Sequence, residues 1–145
     1  MKSILSILLI LSSLIAQNQQ IYTLCEGNYG SSNASLWSFD DSFSSIEGPI
    51  YWDANSFPLG DIAQSIFVSE NDKMYIVVNN SHTIEVMDLS SGNPVFDRTI
   101  SMSGTSPRYI GIYNGSAYVS CWNLNGILVI DLDTDTFTDT ISVDG

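Results

Sequence analysis

The sequence predicts an all-β protein, a β-propeller of four-stranded antiparallel blades, incomplete, with about two and a half blades present. Two observations predict it. A block of fifteen residues, Tyr75 to Leu89, recurs without a gap 43 positions later as Tyr118 to Leu132, with Tyr, Asn, Ile, Val, Asp and Leu in place. Each copy breaks into short strands joined by turn residues, and repeats of about 40 residues with four strands each are propeller blades. A flat sandwich does not require such self-similarity, and a β-helix has a much shorter period.

The last copy gives the elements most clearly. Arg108 to Tyr113 reads as a strand, and Asn114-Gly115 follows it. That dipeptide is the strongest short hairpin signal, because both residues tolerate positive φ. Ala117 to Cys121 is the second strand, Asn123 to Gly126 a turn, and Ile127 to Leu132 the third strand. Asp133-Thr134-Asp135 turns the chain again, and Thr136 to Val143 is the fourth. Ile127-Leu128-Val129-Ile130 is continuously apolar, as in a strand buried on both faces. Thr136 to Val143 alternates instead, with Phe137, Ile141 and Val143 on one face and Thr136, Thr138, Thr140 and Ser142 on the other. A half-exposed outer strand has that pattern.

In the preceding copy, Phe96 to Ile100 falls on Phe137 to Ile141 after a two-residue deletion. An earlier, looser copy starts at Tyr22-Thr23-Leu24-Cys25 and continues through a longer turn to Leu36-Trp37-Ser38-Phe39-Asp40. It lacks an innermost strand before Tyr22. Blades are therefore expected near residues 21–57, 58–103 and 104–145, within a propeller domain at 17–145. Helical signals are absent from all of it.

The repeats Tyr75 to Leu89 and Tyr118 to Leu132, the Pro107-Arg108-Tyr109 opening and the Leu24-Cys25-Glu26-Gly27-Asn28-Tyr29-Gly30 start resemble the YVTN-type β-propeller repeat of exported and cell-surface proteins of unassigned function. Cys25 stands where that family's opening has Asn. The resemblance covers nearly all of residues 21–145. It implies the architecture and no activity, since propellers host many functions and no catalytic motif carries over. It also implies a longer protein: seven blades of this size need roughly 300 residues. The chain thus reads as an N-terminal fragment, with a ring completed by self-association as the alternative.

The N-terminus points to export. Lys2 precedes an apolar run from Ile4 to Ile15, and Ala16 leads into the polar Gln17 to Gln20. A charged start, a short apolar core and a small residue describe a secretory signal over residues 1–16. The run is too short to span a bilayer, which takes about 20 apolar residues, so no membrane span is expected after cleavage. The location is then secreted, periplasmic or at the cell surface.

Beyond the signal, three cations (Lys73, Arg98, Arg108) face sixteen acids. That balance repels phosphate backbones and excludes nucleic acid as a partner. Cys25 and Cys121 each lie three residues after the Tyr of their copy, on blades separated by another, too far apart for the roughly 7 Å Cα separation of a disulfide. Asp131, Asp133 and Asp135 alternate as in a calcium loop, but Thr136 and Ser142 stand where such a loop needs Gly and Glu. A solvated turn is the simpler reading. His82 is the only His and has no Cys or second His nearby. No metal site, no Ser-His-Asp arrangement, no cofactor and no catalytic residue is therefore expected.

Strand alternation puts the turns between second and third strands on the same face as the links between blades. That face gathers Glu26, Asn28, Tyr29, Asn80, His82, Arg108, Trp122, Asn123 and Asn125. Aromatics with amides and one Arg suit a small polar ligand, a glycan or a protein segment. Turn capping is the plainer role for each of them. The functional expectation is an exported binding or scaffold propeller without enzymatic activity. The alternative is a piece of a propeller hydrolase or lyase whose catalytic residues lie in other blades.

Overall fold

A computed structural model describes residues 20–143; the expected signal segment at 1–16 lies outside the described residues. Eleven strands and one short helix run in the order β1 (Gln20–Cys25), β2 (Ser35–Asp40), β3 (Ile46–Glu47), α1 (Ile50–Asn55), β4 (Ala63–Val68), β5 (Lys73–Val78), β6 (Thr83–Asp88), β7 (Val95–Ser101), β8 (Pro107–Tyr113), β9 (Ser116–Cys121), β10 (Gly126–Asp131) and β11 (Thr136–Ser142). They form three antiparallel meanders: β1-β2-β3, β4-β5-β6-β7 and β8-β9-β10-β11. The sheets stack face to face in chain order. First strands meet, β1 with β4 and β4 with β8, which marks them as the inner strands.

Two dry layers hold the stack. Between the first and second sheets lie Leu36, Met74, Ile76, Val78 and Met87, with Ile50, Tyr51 and Leu59 closing the outer side. Between the second and third lie Tyr75, Val77, Ile84, Val86 and Ile100 from one side and Ala117, Val119, Leu128 and Ile130 from the other. β5 therefore buries both faces, as its unbroken Met-Tyr-Ile-Val-Val run demands.

The turns obey their residues. Asn114 and Gly115 take φ of 49° and 74°, the paired left-handed conformation that makes a two-residue hairpin twist with its strands. Gly126 opens β10 because a Cβ there would lie 2.7 Å from the Ile141 carbonyl oxygen. In each sheet the strand before the outermost one ends in an aspartate that folds the next turn. Asp40 accepts the Ser44 N–H at 2.6 Å, Asp88 the Ser90 N–H at 2.8 Å, and Asp131 the Asp133 and Thr134 N–H groups at 3.0 and 2.9 Å. All three lie below the ordinary Asp range: the Ser44 hydroxyl is the main cause at Asp40, the Lys73 ammonium at Asp88 and the Thr134 hydroxyl at Asp131, with the N–H donors of the turns adding to each.

Two expectations are corrected. Residues Ile50–Asn55 form a helix where no helical signal was expected. Ile50 and Tyr51 are buried and Ala54 packs on the same cluster, so burial between β2 and β7 holds a segment too short to be helical alone. Phe137 also does not share a face with Ile141. A bulge leaves Thr138 without a partner, so Phe137 sits opposite Ile130 on the packed side and Ile141 opposite Ile127 on the outward side. β7 carries the same bulge at Asp97, which sends Phe96 into the first layer and Ile100 into the second.

The first sheet has three strands, and among the described residues none lies inside β1. The backbone of β1 faces a cavity of about 480 Å³ shared with Ala63, Gln64, Ser65 and Ile66 of β4.

Candidate functional site

The face expected to bind is largely committed to its own scaffold. In the second sheet the turn after β5 bonds back to the link that enters the same sheet: Asn79 N–H donates to Ile62 O at 2.7 Å and Asn80 N–H to Asp61 O at 3.1 Å. The third sheet repeats this, with Trp122 N–H to Ser106 O at 2.9 Å and Asn123 N–H to Thr105 O at 3.1 Å. Side chains follow. Asn80 Nδ2 donates to Asp61 Oδ2 at 2.6 Å, and Asn123 Nδ2 to Gly104 O and Ser106 Oγ at 3.0 and 3.1 Å. His82 Nδ1 accepts the Ser106 N–H at 3.0 Å. Asn28 N–H donates to Asn33 Oδ1 at 2.7 Å, while Glu26 accepts from Gln64 Nε2.

Asp61, a residue the sequence did not single out, organises part of this face. It is 5% exposed, and its Oδ2 also accepts the Gly30 N–H at 2.8 Å. Burial pushes its pKa up, but the Asn80 amide and the N–H groups of Gly30, Ser32 and Ser31 outweigh burial and hold it below the usual range. Tyr29 stands out into solvent, and so does Trp122. Arg108 lies over the Trp122 ring at 4.1 Å and within 5.8 Å of the Tyr109 ring, a cation–π stack. Of the expected residues, then, Arg108 and Trp122 meet each other, His82 and Asn123 meet through Ser106, Asn80 meets the turn that carries Tyr29 through Asp61, and Glu26 and Asn28 bond to Gln64 and Asn33 instead.

A second opening lies at the other end of the strands. A groove of about 670 Å³ runs between the second and third sheets, lined by Phe67, Glu70, Lys73, Tyr75, Arg98, Tyr113 and Asp133 among others. The two cations on its lining, Lys73 and Arg98, are held by a chain of ion pairs. Lys73 Nζ binds Asp88 at 2.8 Å and Asp97 at 2.9 Å; Arg98 binds Asp97 at 2.7 Å and, through Nε, Asp135 at 2.6 Å. Arg98 Nη2 reaches Asp135 Oδ1 at 3.1 Å and Leu132 O at 3.2 Å, so one guanidinium spans the two sheets. The Lys73 pairing holds Asp97 below its ordinary range. Glu70, Tyr113, Asn114 and Asp133 border the same opening and are exposed. A groove of this size, with aromatic surface and fixed charges, fits a small polar molecule or a short chain segment. Strand direction places the turns after first and third strands, and so Glu70, Asn114 and Asp133, at this end, but the strand residues Lys73 and Arg98 join them only through the stacking of the two sheets.

Cys25 is an exposed free thiol on the first sheet; Cys121 is a half-buried one on the third, where burial raises its pKa. Among the described residues no three metal-ligating side chains cluster, and no helix is long and apolar enough to cross a membrane.

No family model and no curated protein matches this chain. Among solved structures it is similar to a chain of a crystal structure of a nidogen/laminin complex, with a TM-score of 0.64 at 13% sequence identity. The match covers 86% of this chain and 43% of the other, so this chain spans under half of that one. The likeness establishes the fold as a partial β-propeller.

Proposed function

We propose that this chain is part of an exported YVTN-type propeller that binds a small polar ligand, a glycan or a protein segment without chemical turnover. The observation that carries the reading is the groove of about 670 Å³ between the second and third sheets, which leaves Glu70, Tyr113, Asn114 and Asp133 exposed at its rim. On the opposite face Asn80, His82 and Asn123 already spend their hydrogen bonds on the links. That leaves Arg108 and Trp122 as the second candidate platform. Export rests on Lys2, the apolar Ile4 to Ile15 run and Ala16, which favour a secreted, periplasmic or surface location. A binding role also suits a fold in which rigid sheets present turns at both ends.

The test is binding of the purified chain to arrays of glycans and short peptides, with Phe67→Ala and Trp122→Ala compared. Phe67→Ala should weaken the best binder by about tenfold, the scale of an interface anchor, with Trp122→Ala near wild type. The reverse result moves the site to the Arg108–Trp122 platform. Turnover of an array compound by the wild-type chain would overturn the non-enzymatic reading.

A further inference from the structure

The groove between the second and third sheets has already spent its positive charge. Lys73 and Arg98 are the cations on its lining, and three carboxylates answer these two. Asp88 and Asp97 lie 2.8 and 2.9 Å from Lys73 Nζ, and Asp97 and Asp135 lie 2.7 and 2.6 Å from the Arg98 guanidinium. Glu70 and Asp133 border the same opening, are exposed, and have no cation paired to them among the described residues. Tyr113 is on that rim with 68% of its surface free, and Phe67 is partly exposed on the lining. Unpaired carboxylates and open ring faces in one cleft favour a cation: the cleft focuses the negative field, and the rings hold a cation at short range. Phosphates and acidic glycans meet repulsion there.

The groove is also long. Its lining passes from Phe67 on β4, through Lys73 on β5, to Arg98 on β7. In the strand order β4-β5-β6-β7, three spacings separate the ends, about 14 Å. An extended chain covers that in about four residues. A free amine carries the same charge but fills only part of this length.

We propose that the groove takes an extended polypeptide segment bearing a Lys or Arg side chain, its cation drawn to Glu70, Asp133 and the Tyr113 ring. The proposal deepens the binding reading above and rests on the groove being the site.

NMR titration of the purified 145-residue chain tests it. The probes are end-blocked heptapeptides of glycine and serine with Lys, norleucine or Glu at the centre, and 1,5-diaminopentane as the free amine. The Lys peptide should bind about tenfold tighter than the norleucine and Glu peptides, the scale of exposed charge pairs with a ring contact. Added salt should shrink that margin. Phe67→Ala should weaken the Lys peptide, and Glu70→Gln combined with Asp133→Asn should erase its margin over norleucine. Both carboxylates are exposed, so the double variant should keep its fold, which far-UV circular dichroism checks. A norleucine peptide that binds as tightly as the Lys peptide, still sensitive to Phe67→Ala, overturns the cation and leaves the groove as the site. A Lys margin that survives the double variant overturns it too, because the cation is then held elsewhere. Diaminopentane binding as tightly as the Lys peptide overturns the chain segment in favour of a free amine. No binding of any probe, or binding indifferent to Phe67→Ala, removes the groove reading itself and this proposal with it.

Discussion

The joint between the first and second sheets and the joint between the second and third are made from the same repeat but closed differently. The second joint is dry through its centre and carries its charges on the groove wall, where Arg98 ties Asp97 to Asp135. The first joint admits a buried carboxylate. Glu85, 5% exposed, accepts from Tyr51 Oη at 2.9 Å and from Thr99 Oγ1 at 2.6 Å, and Asn55 Nδ2 donates to the same Tyr51 oxygen at 2.9 Å. Where the outer strand shrinks to the two residues of β3, helix α1 supplies the missing wall and Tyr51 anchors it through Glu85. The difference shows that the repeat dictates a joint only where both sheets are full; a short sheet needs an inserted element with a polar latch.

That contrast can be broken most sharply in the apolar joint. Ile84→Ala should cost about 2–5 kcal/mol by urea unfolding, because it empties a fully packed site, while Ile127→Ala at the equivalent outward position should cost under about 1 kcal/mol. Equal losses would mean the two positions do not differ as described.

The polar latch should give an intermediate effect. Tyr51→Phe leaves Glu85 with Thr99 alone and should cost about 1–3 kcal/mol. The same variant has a pH signature. Burial, and after it the Glu85 carboxylate, push the Tyr51 phenol well above its ordinary value of 10.0. A raised folded pKa contributes stability that is complete below the unfolded value near 10 and is lost as pH rises toward the folded one. Wild-type unfolding should therefore show a loss above about pH 10 that is smaller in Tyr51→Phe, where only Tyr22 keeps a raised phenol.

The smallest effect belongs to the groove wall. Arg98→Met should cost about 1 kcal/mol or less at low salt and less still at high salt, as partly exposed pairs do. Asp88 and Asp97 have depressed pKa values, so their contribution is present above the ordinary Asp value of 3.8 and is lost as pH falls below it. An acid titration of unfolding should show that loss, reduced in Arg98→Met because Asp97 keeps only Lys73.

The second and third sheets were legible in the sequence because Tyr75 to Leu89 and Tyr118 to Leu132 share register and turn chemistry. The side of Phe137 was not, because a bulge shifts the two-residue alternation and leaves no mark in composition. Helix α1 was hidden for a related reason: Ile50, Tyr51 and Ala54 become a coherent face only against β2 and β7. On the candidate sites, strand direction correctly grouped the links with the turns after second strands, but the reading stopped at one end of the strands. Lys73, Arg98 and Phe67 lie at the other, and their convergence depends on how two sheets stack, which a one-dimensional pattern does not contain.

The aspartates that close the next-to-outermost strands, Asp40, Asp88 and Asp131, fall once per sheet at the turn into the outermost strand. Each of the three sheets therefore carries one carboxylate at this turn, held below the ordinary Asp range by the donors gathered round it. Negative charge in this architecture accumulates with repeat number as a by-product of turn formation. Three of the chain's sixteen acidic residues are thus accounted for by turn formation.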